Sequence, residues 1–434
     1  MSFIKTIALF LLSSIIFISC NQSEEGKRNT YLRNNEIDIF SNQTLNGISK
    51  ERLSRIDTMI HLSIKNHVIP GAVAIVVKDG EVLYHKAWGV SNPETGALYE
   101  PDNIFRIASM TKAVASLAVL MLWEEGKFFL DDPIEKYLPE YANMGILDSF
   151  DPNDSSFTTI PAEKKITIRH LLTHTSGIGY GDIDGNPSIK AIYWKNGLKD
   201  LFAPIFSMAE GSRVIAQQPL HHNPGERFTY SLGIDVIGVF IERISGMSFP
   251  QFLRQKIFMP LEMDDTYFDL PDDRHDRLVP VLTKNDGDWN IFHTDIYNVD
   301  YPKLEGKTFY SGGAGLSSTV SDYAKFLQVL IQNGKGNGYQ LIGKKTCDLI
   351  YENQLSGIEE WTMGIATGVL GEKELRQGGK GSLGTLTWGG YFNTSFFADP
   401  EEKIVGIIFK QTQNIENDYT SQRFRELVFQ SVIK

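Results

Sequence analysis

Cysteine is almost missing from this chain: 434 residues contain two, Cys20 and Cys347. Two thiols cannot build a disulfide framework or a multi-thiolate metal site. Excess positive charge is missing too, with 42 Lys and Arg against 53 Asp and Glu and a formal net charge of −11. Nucleic acid and anionic membrane surfaces both reward clustered cations, so neither is expected as the main partner. The apolar run at residues 6–19 is about 14 residues long, whereas a bilayer-spanning helix needs roughly 20. Internal repeats are absent. With 42% hydrophobic and 22% charged residues, global disorder and low-complexity architectures are excluded.

What is present at the N-terminus reads as an address. Lys5 precedes the short apolar run, the arrangement of an export signal. The junction Phe17-Ile18-Ser19-Cys20 resembles a bacterial lipoprotein cleavage box, in which the cysteine becomes the lipidated first residue; Phe17 stands where an aliphatic residue is usual. The alternative is an ordinary signal peptide followed by an unmodified thiol. Residues 1–19 are therefore expected to be a leader and Cys20 the lipidation site. Residues 20–47 are polar and read as a tether, and 48–434 as the folded domain. The expected location is the cell envelope, with the lipid anchor as the membrane contact. Cys347 sits in a helical pattern and reads as a small core residue.

Within the folded part, residues 51–66 carry apolar positions at helical spacing. Strand-like runs at 72–77 and 82–88 flank Lys78-Asp79-Gly80, a hairpin signal. An apolar, helix-favouring segment runs from Ser109 to Glu125. Residues 127–300 show helical segments such as 233–244 and 249–258, with a polar loop at 148–164. Strand patterns return at 364–369, 395–398 and 404–409, and a final helix spans 420–432. The fold class is α+β: an antiparallel sheet flanked by helices from about 48–108 and 305–434, with a helical part inserted at about 109–304.

Ser109-Met110-Thr111-Lys112 opens the apolar helix. Positions i and i+3 share a helix face, so hydroxyl and amine can meet one turn apart. A serine hydroxyl becomes a good nucleophile when a neighbouring base takes its proton. A lysine accepts one only when neutral, a form that burial favours. Taken alone, Ser-x-x-Lys is a weak signal, and Ser109 also reads as a plain N-cap.

Context strengthens it. Ile107-Ala108-Ser109-Met110-Thr111-Lys112 resembles the first motif of the serine β-lactamase and penicillin-binding superfamily, and the stretch Pro224 to Ser231 resembles its second motif in the class C-like branch. The stretches His170 to Gly177 and Ser311 to Leu316 match as well, in order along residues 54–410. Where β-lactamases have Tyr-x-Asn, this chain has Tyr230-Ser231-Leu232. Where they have Lys-Thr-Gly or His-x-Gly, it has Trp388-Gly389-Gly390. An amide anchor and a cationic anchor are both replaced, the pattern of the family VIII carboxylesterases and related acyltransferases. The resemblance implies Ser109 as nucleophile, Lys112 as base, Tyr230 as proton relay, and an oxyanion hole from the backbone N–H groups of Ser109 and Tyr391. Leu232, Trp388, Gly389 and Gly390 would contact substrate. The substrate would be a small ester or amide, with no cofactor. Cleavage of short acyl esters is the first expectation; β-lactamase or D-amino-acid peptidase activity is the alternative, and a non-catalytic envelope binding lipoprotein is a rival of another class.

Other candidates are weaker. Ser231 and Ser382 lack the leading glycine of a nucleophile elbow. His170 and His174 are four apart but lack the glutamate of a zinc-protease helix, and read as loop-stabilising. His221 and His222 read as wall residues. Asp182, Asp184 and Asn186 begin like a calcium loop, but Pro187 and Tyr193 stand where glycine and glutamate are required. Asn393 replaces a glycine common after the third motif.

Overall fold

A computed structural model describes residues 44–433; the expected leader, Cys20 and most of the tether lie outside the described residues. The described residues divide into two compact units, residues 44–55 with 430–433, and residues 56–429. In the first, Thr44–Leu45 and Ile48–Ser49 pair antiparallel, and the Ser49 amide donates to the Ser431 carbonyl at 2.8 Å. The Ser49 hydroxyl caps the short helix α1 (Lys50–Leu53) by accepting the Arg52 N–H.

The second unit is built on an antiparallel sheet of β1 (Gly71–Lys78), β2 (Glu81–Asn92), β3 (Ala97–Leu98), β4 (Gly368–Val369), β5 (Leu386–Gly390), β6 (Thr394–Asp399) and β7 (Ile404–Phe409), in the order β4-β5-β6-β7-β1-β2-β3. The β1 sequence Gly-Ala-Val-Ala-Ile-Val-Val-Lys is buried along its whole length, as expected of a central strand covered on both faces. Asp79 and Gly80 both take positive φ, 52° and 82°, which a two-residue hairpin turn with the right twist demands. Chain ends meet in the sheet centre, where β7 pairs with β1.

Alternation splits the apolar residues between two faces. Val73, Ile75, Val77, Phe396, Val405, Ile407 and Phe409 join the main core, together with helices α2 (Thr111–Glu124), α3 (Gly233–Ser245) and α4 (Val320–Ile331). Tyr323 of α4 packs its ring at a tilt on Phe396, 5.5 Å between centroids. The opposite face carries Phe397, which packs on Phe424 of α5 (Thr420–Gln430). Helix α2 is buried on nearly every side, so its composition shows little amphipathic contrast.

Several boundaries differ from expectation. The polar loop at 148–164 holds part of a hairpin, Gly145–Phe150 with Phe157–Pro161; its residues are half-exposed or exposed, so no apolar alternation marks it. A second hairpin, Leu282–Asn285 with Asp288–Ile291, turns on Asp286-Gly287 at φ 51° and 96°, a turn signal the sequence does carry. The helix expected at 249–258 becomes Phe249–Leu253 followed by a π turn, Arg254–Phe258. The strand expected at 364–369 shortens to Gly368–Val369. Cys347 is a buried free thiol whose pKa burial pushes up to about 11.

Beyond β7, the fully buried Lys410 pairs with Asp418, which also accepts from the Asn393 side chain at 2.9 Å. Removing one partner leaves an uncompensated buried charge. Lys410→Met should therefore destabilise the protein by about 3–5 kcal/mol in urea unfolding, and adding Asp418→Leu should restore a large part of that loss.

Candidate active site

Phe105–Arg106 pairs with Ser317–Ser318 and delivers the chain to a 3-10 turn, Ala108–Met110, from which α2 continues. The Arg106 guanidinium is buried and donates to the carbonyls of Val299 (2.6 Å) and Val279 (2.7 Å) and to Asp300 (3.1 Å). Its backbone is gripped by the Gln411 side chain. Rigid support matters because Ala108 sits at φ +42°, a left-handed conformation that costs a non-glycine residue on the order of 1–2 kcal/mol. The turn lifts Ser109, half-buried between buried Ala108 and Met110. No side-chain capping hydrogen bond is made at the start of this turn or of α2, so Ser109 is not acting as an N-cap.

The Lys112 side chain is fully buried. Its Nζ lies 3.3 Å from Ser109 Oγ, 2.8 Å from the Tyr180 hydroxyl and 2.8 Å from the Gly313 carbonyl. Tyr230 is brought to the same place, but by its ring: the centroid is 4.6 Å from Nζ and 5.0 Å from the stacked Tyr180 ring. The phenol bonded to the lysine is thus that of Tyr180, a residue absent from the sequence expectation. Tyr180 is 2% exposed, and burial, with Tyr230 and Asp235 adding to it, raises its pKa well above 10, against an opposing hydrogen bond to Ser109. A phenol protonated at neutral pH can accept from the lysine and donate to the serine. Tyr230 remains half-buried, on the accessible side.

Beneath this group lies Asp235, in the first turn of α3. Its Oδ1 accepts from Ser311 Oγ at 2.6 Å and from the Gly313 N–H at 3.2 Å, while Oδ2 is buried without a partner. Burial raises its pKa, opposed first by the charge of Lys112. The glycine run 311–315 is explained by this crowding. A Cβ on Gly312 would sit 2.3 Å from the Ile234 carbonyl, and one on Gly313 would sit 2.6 Å from Asp235 Oδ2. Sequence reasoning missed Asp235, although a lone carboxylate in the apolar run Gly233-Ile234-Asp235-Val236-Ile237 was a visible signal.

The third stretch closes the site. A Cβ on Gly390 would fall 2.4 Å from the Ile107 carbonyl, so only glycine lets β5 reach the turn beside Ser109. Tyr391 follows, with its N–H making no hydrogen bond among the described residues. Asn393 takes φ +66°, the conformation a glycine would supply, and pays for it with side-chain bonds to Thr412 and Asp418 at 2.9 Å each. The Trp388 ring packs 6.1 Å from Tyr230. Leu232 differs from expectation: it is 5% exposed and packed in the core, with its amide bonded to the Gly179 carbonyl. It shapes the wall from behind.

The remaining polar candidates take supporting roles. Asp184 accepts the Tyr180 N–H, the Asn186 N–H and the His221 ring, fixing the turn that presents Tyr180. His174 packs 4.6 Å from Tyr230, and its Nδ1 accepts the Ser231 N–H; burial and the Lys112 charge hold its pKa well below 6.5. His170 Nδ1 accepts the Thr167 N–H in a capping box. The Ser382 N–H donates to Asp399.

Two outcomes follow from this electrostatics. Asp235→Asn keeps the acceptor for Ser311 and Gly313 and removes a carboxylate that burial disfavours. Its melting temperature should match or exceed that of the parent, while kcat falls roughly tenfold or more because Lys112 loses its neighbouring carboxylate. For His170, burial lowers the folded-state pKa from 6.5 to about 4. The unfolded chain then binds more protons between those values, so stability is complete above about 6.5 and declines as pH falls toward 4. His170→Gln preserves the capping box and should show a smaller loss across that window in thermal melts.

Comparison with known proteins fits this geometry. The family described as Beta-lactamase matches residues 56–428. Esterase EstB of Burkholderia gladioli is 30% identical over 373 residues, spanning 80% of this chain and 87% of that protein. Protein Rv1367c of Mycobacterium tuberculosis (strain ATCC 25618 / H37Rv) is 31% identical over 356 residues, 78% of this chain and 84% of that one. The structure titled "EstCE1, a hydrolase with promiscuous acyltransferase activity" superposes with a TM-score of 0.73 at 24% identity, covering 88% of this chain and 99% of that one. The chain belongs to the β-lactamase family, as a serine hydrolase built on that family's antiparallel sheet flanked by helices.

Proposed function

We propose that this hydrolase cleaves small, uncharged acyl esters through an acyl-enzyme on Ser109. The observation that carries the reading is the 3.3 Å approach of Ser109 Oγ to Lys112 Nζ in a site whose two usual polar anchors are replaced. Leu232 stands in the core where an amide would hold a substrate side chain, and Trp388 stands where a cation would hold a carboxylate. A site built from Trp388, Tyr230 and Phe228 offers aromatic surface rather than charge pairing, which favours neutral acyl groups. The similarity to a named esterase over most of both chains supports the same choice.

In this mechanism Ser109 Oγ attacks the ester carbonyl carbon while the Lys112 amine takes up its proton, directly or through the Tyr180 hydroxyl. The oxyanion is received by the backbone N–H groups of Ser109 and Tyr391. Collapse expels the alcohol, which takes a proton relayed from Lys112 past the accessible Tyr230. Water then attacks the acyl-enzyme under the same base, releasing the acid and restoring the hydroxyl. An alcohol in place of water would give acyl transfer. In the same reading, the leader expected at residues 1–19 and lipidation at Cys20 would hold this chemistry at the cell envelope.

Intact-protein mass after treatment with an activated phosphonate should show a single adduct, lost in Ser109→Ala. p-Nitrophenyl butyrate should be hydrolysed with kcat/KM at least about a hundredfold above that for a chromogenic cephalosporin or a D-alanyl dipeptide. Fast cephalosporin turnover without ester cleavage would replace the esterase reading by a β-lactamase one, and no adduct at all would favour a binding lipoprotein.

A further inference from the structure

The sheet face turned away from the main core is incompletely filled. Across β5, β6 and β7, two cross-strand rows point to this side, Thr387–Phe397–Gly406 and Gly389–Ser395–Ile408. Small residues in both rows leave a cavity of about 610 Å³ between the sheet, α5 and the segment around Trp361. Much of its lining is apolar, with Phe397, Ile408, Phe424 and Val369 on the walls, and Glu374 and Lys380 also line it. A volume of this order suits a small organic molecule.

One wall carries a cation with unmet hydrogen-bond donors. Ser421 and Arg425 are four apart on α5 and share a helix face, and both line the cavity. Arg425 Nε and one Nη are buried with no acceptor, as is Ser421 Oγ. The guanidinium carbon lies 5.9 Å from the Phe397 ring centroid. Asp399, the acid that most strongly influences Arg425, is already engaged. It accepts from Ser382 N–H, Thr385 Oγ1 and the N–H groups of Glu401 and Glu402 at 2.7–3.0 Å. Burial pulls the Arg425 pKa down to about 10, so the group is still charged at neutral pH. A charged fork with unmet donors at the edge of an apolar cavity is the complement of a planar carboxylate on a hydrocarbon chain.

We infer that this cavity is a second ligand site, separate from Ser109, that binds an aliphatic monocarboxylate with its head on Arg425 and Ser421 and its chain along Phe397, Phe424 and Ile408. The site shares β5 with the Ser109 pocket: Trp388 and Gly389 both line the cavity, and the Trp388 ring also packs 6.1 Å from Tyr230, while Ser109, Lys112 and Tyr230 do not line it. Occupancy does not depend on how Ser109 reacts.

Sodium decanoate titrated into the full chain carrying Ser109→Ala, followed by calorimetry and by the fluorescence of Trp361 and Trp388, should give one saturable site. Decanol and inorganic phosphate should each bind at least tenfold more weakly, because each lacks half of the recognised chemistry. Arg425→Gln and, separately, Ser395→Leu, which fills the cavity from the sheet, should each weaken decanoate at least tenfold, with thermal melts verifying the fold. The second variant serves if the first fails to fold. Decanoate binding unchanged in a folded variant would assign the ligand to the Ser109 pocket and overturn the inference, as would absence of saturable binding, equal binding of decanol or equal binding of phosphate.

Discussion

A lysine amine removed from water must find acceptors within the protein, and this requirement organises the centre of the molecule. Lys112 finds Tyr180, the Gly313 carbonyl and Ser109. Two of these acceptors, Tyr180 and Gly313, come from distant parts of the chain, so satisfying one side chain draws together α2, the turn after residue 176 and the glycine-rich stretch at 311–315. Loss of any acceptor would leave a buried donor unmet, a penalty of about 1–3 kcal/mol. Reactivity and folding therefore rest on the same contacts. In the proposed mechanism, the serine beside that amine is activated by a group the fold cannot release.

Close packing enforces the arrangement from outside. Gly312 and Gly313 lie against α3, and Gly390 lies against the Ile107 carbonyl, at separations a side chain would forbid. The left-handed Ala108 is held by Arg106 and Gln411, whose buried hydrogen bonds fix the chain two residues before the strained position. Strain at the turn is thus offset by a polar network behind it, and the nucleophile stays half-exposed while its neighbours are buried.

Two tyrosines divide what a single one was expected to do. Tyr180 is deep, bonded to Lys112 and fixed through its backbone by Asp184. Tyr230 stacks on it and lies toward the accessible side, between His174 and Trp388. In the proposed mechanism, holding the base and meeting the leaving group fall to separate phenols, which permits the buried one to be rigid. Strand β5 likewise serves two neighbours, since Trp388 packs on Tyr230 and also lines the cavity that Arg425 reaches.

Sequence alone determined the features that local chemistry controls. Ile404–Phe409 could be read because it is a continuous apolar run with one possible period. The Asp79-Gly80 turn could be read because only certain residues tolerate its dihedral angles. Ser109 and Lys112 could be paired because a helix repeats every few residues. Tertiary structure decided the rest. Tyr180 and Asp235 lie 68 and 123 positions from Lys112 in the chain, and no local pattern tells which buried polar groups converge. Leu232 could be expected to face substrate because motif position fixes identity but not side-chain direction, and packing turned it inward. Short-range rules act through dihedral angles and spacing, whereas the partner of a buried charge is chosen by the whole fold, which alone sets what surrounds it once water has left.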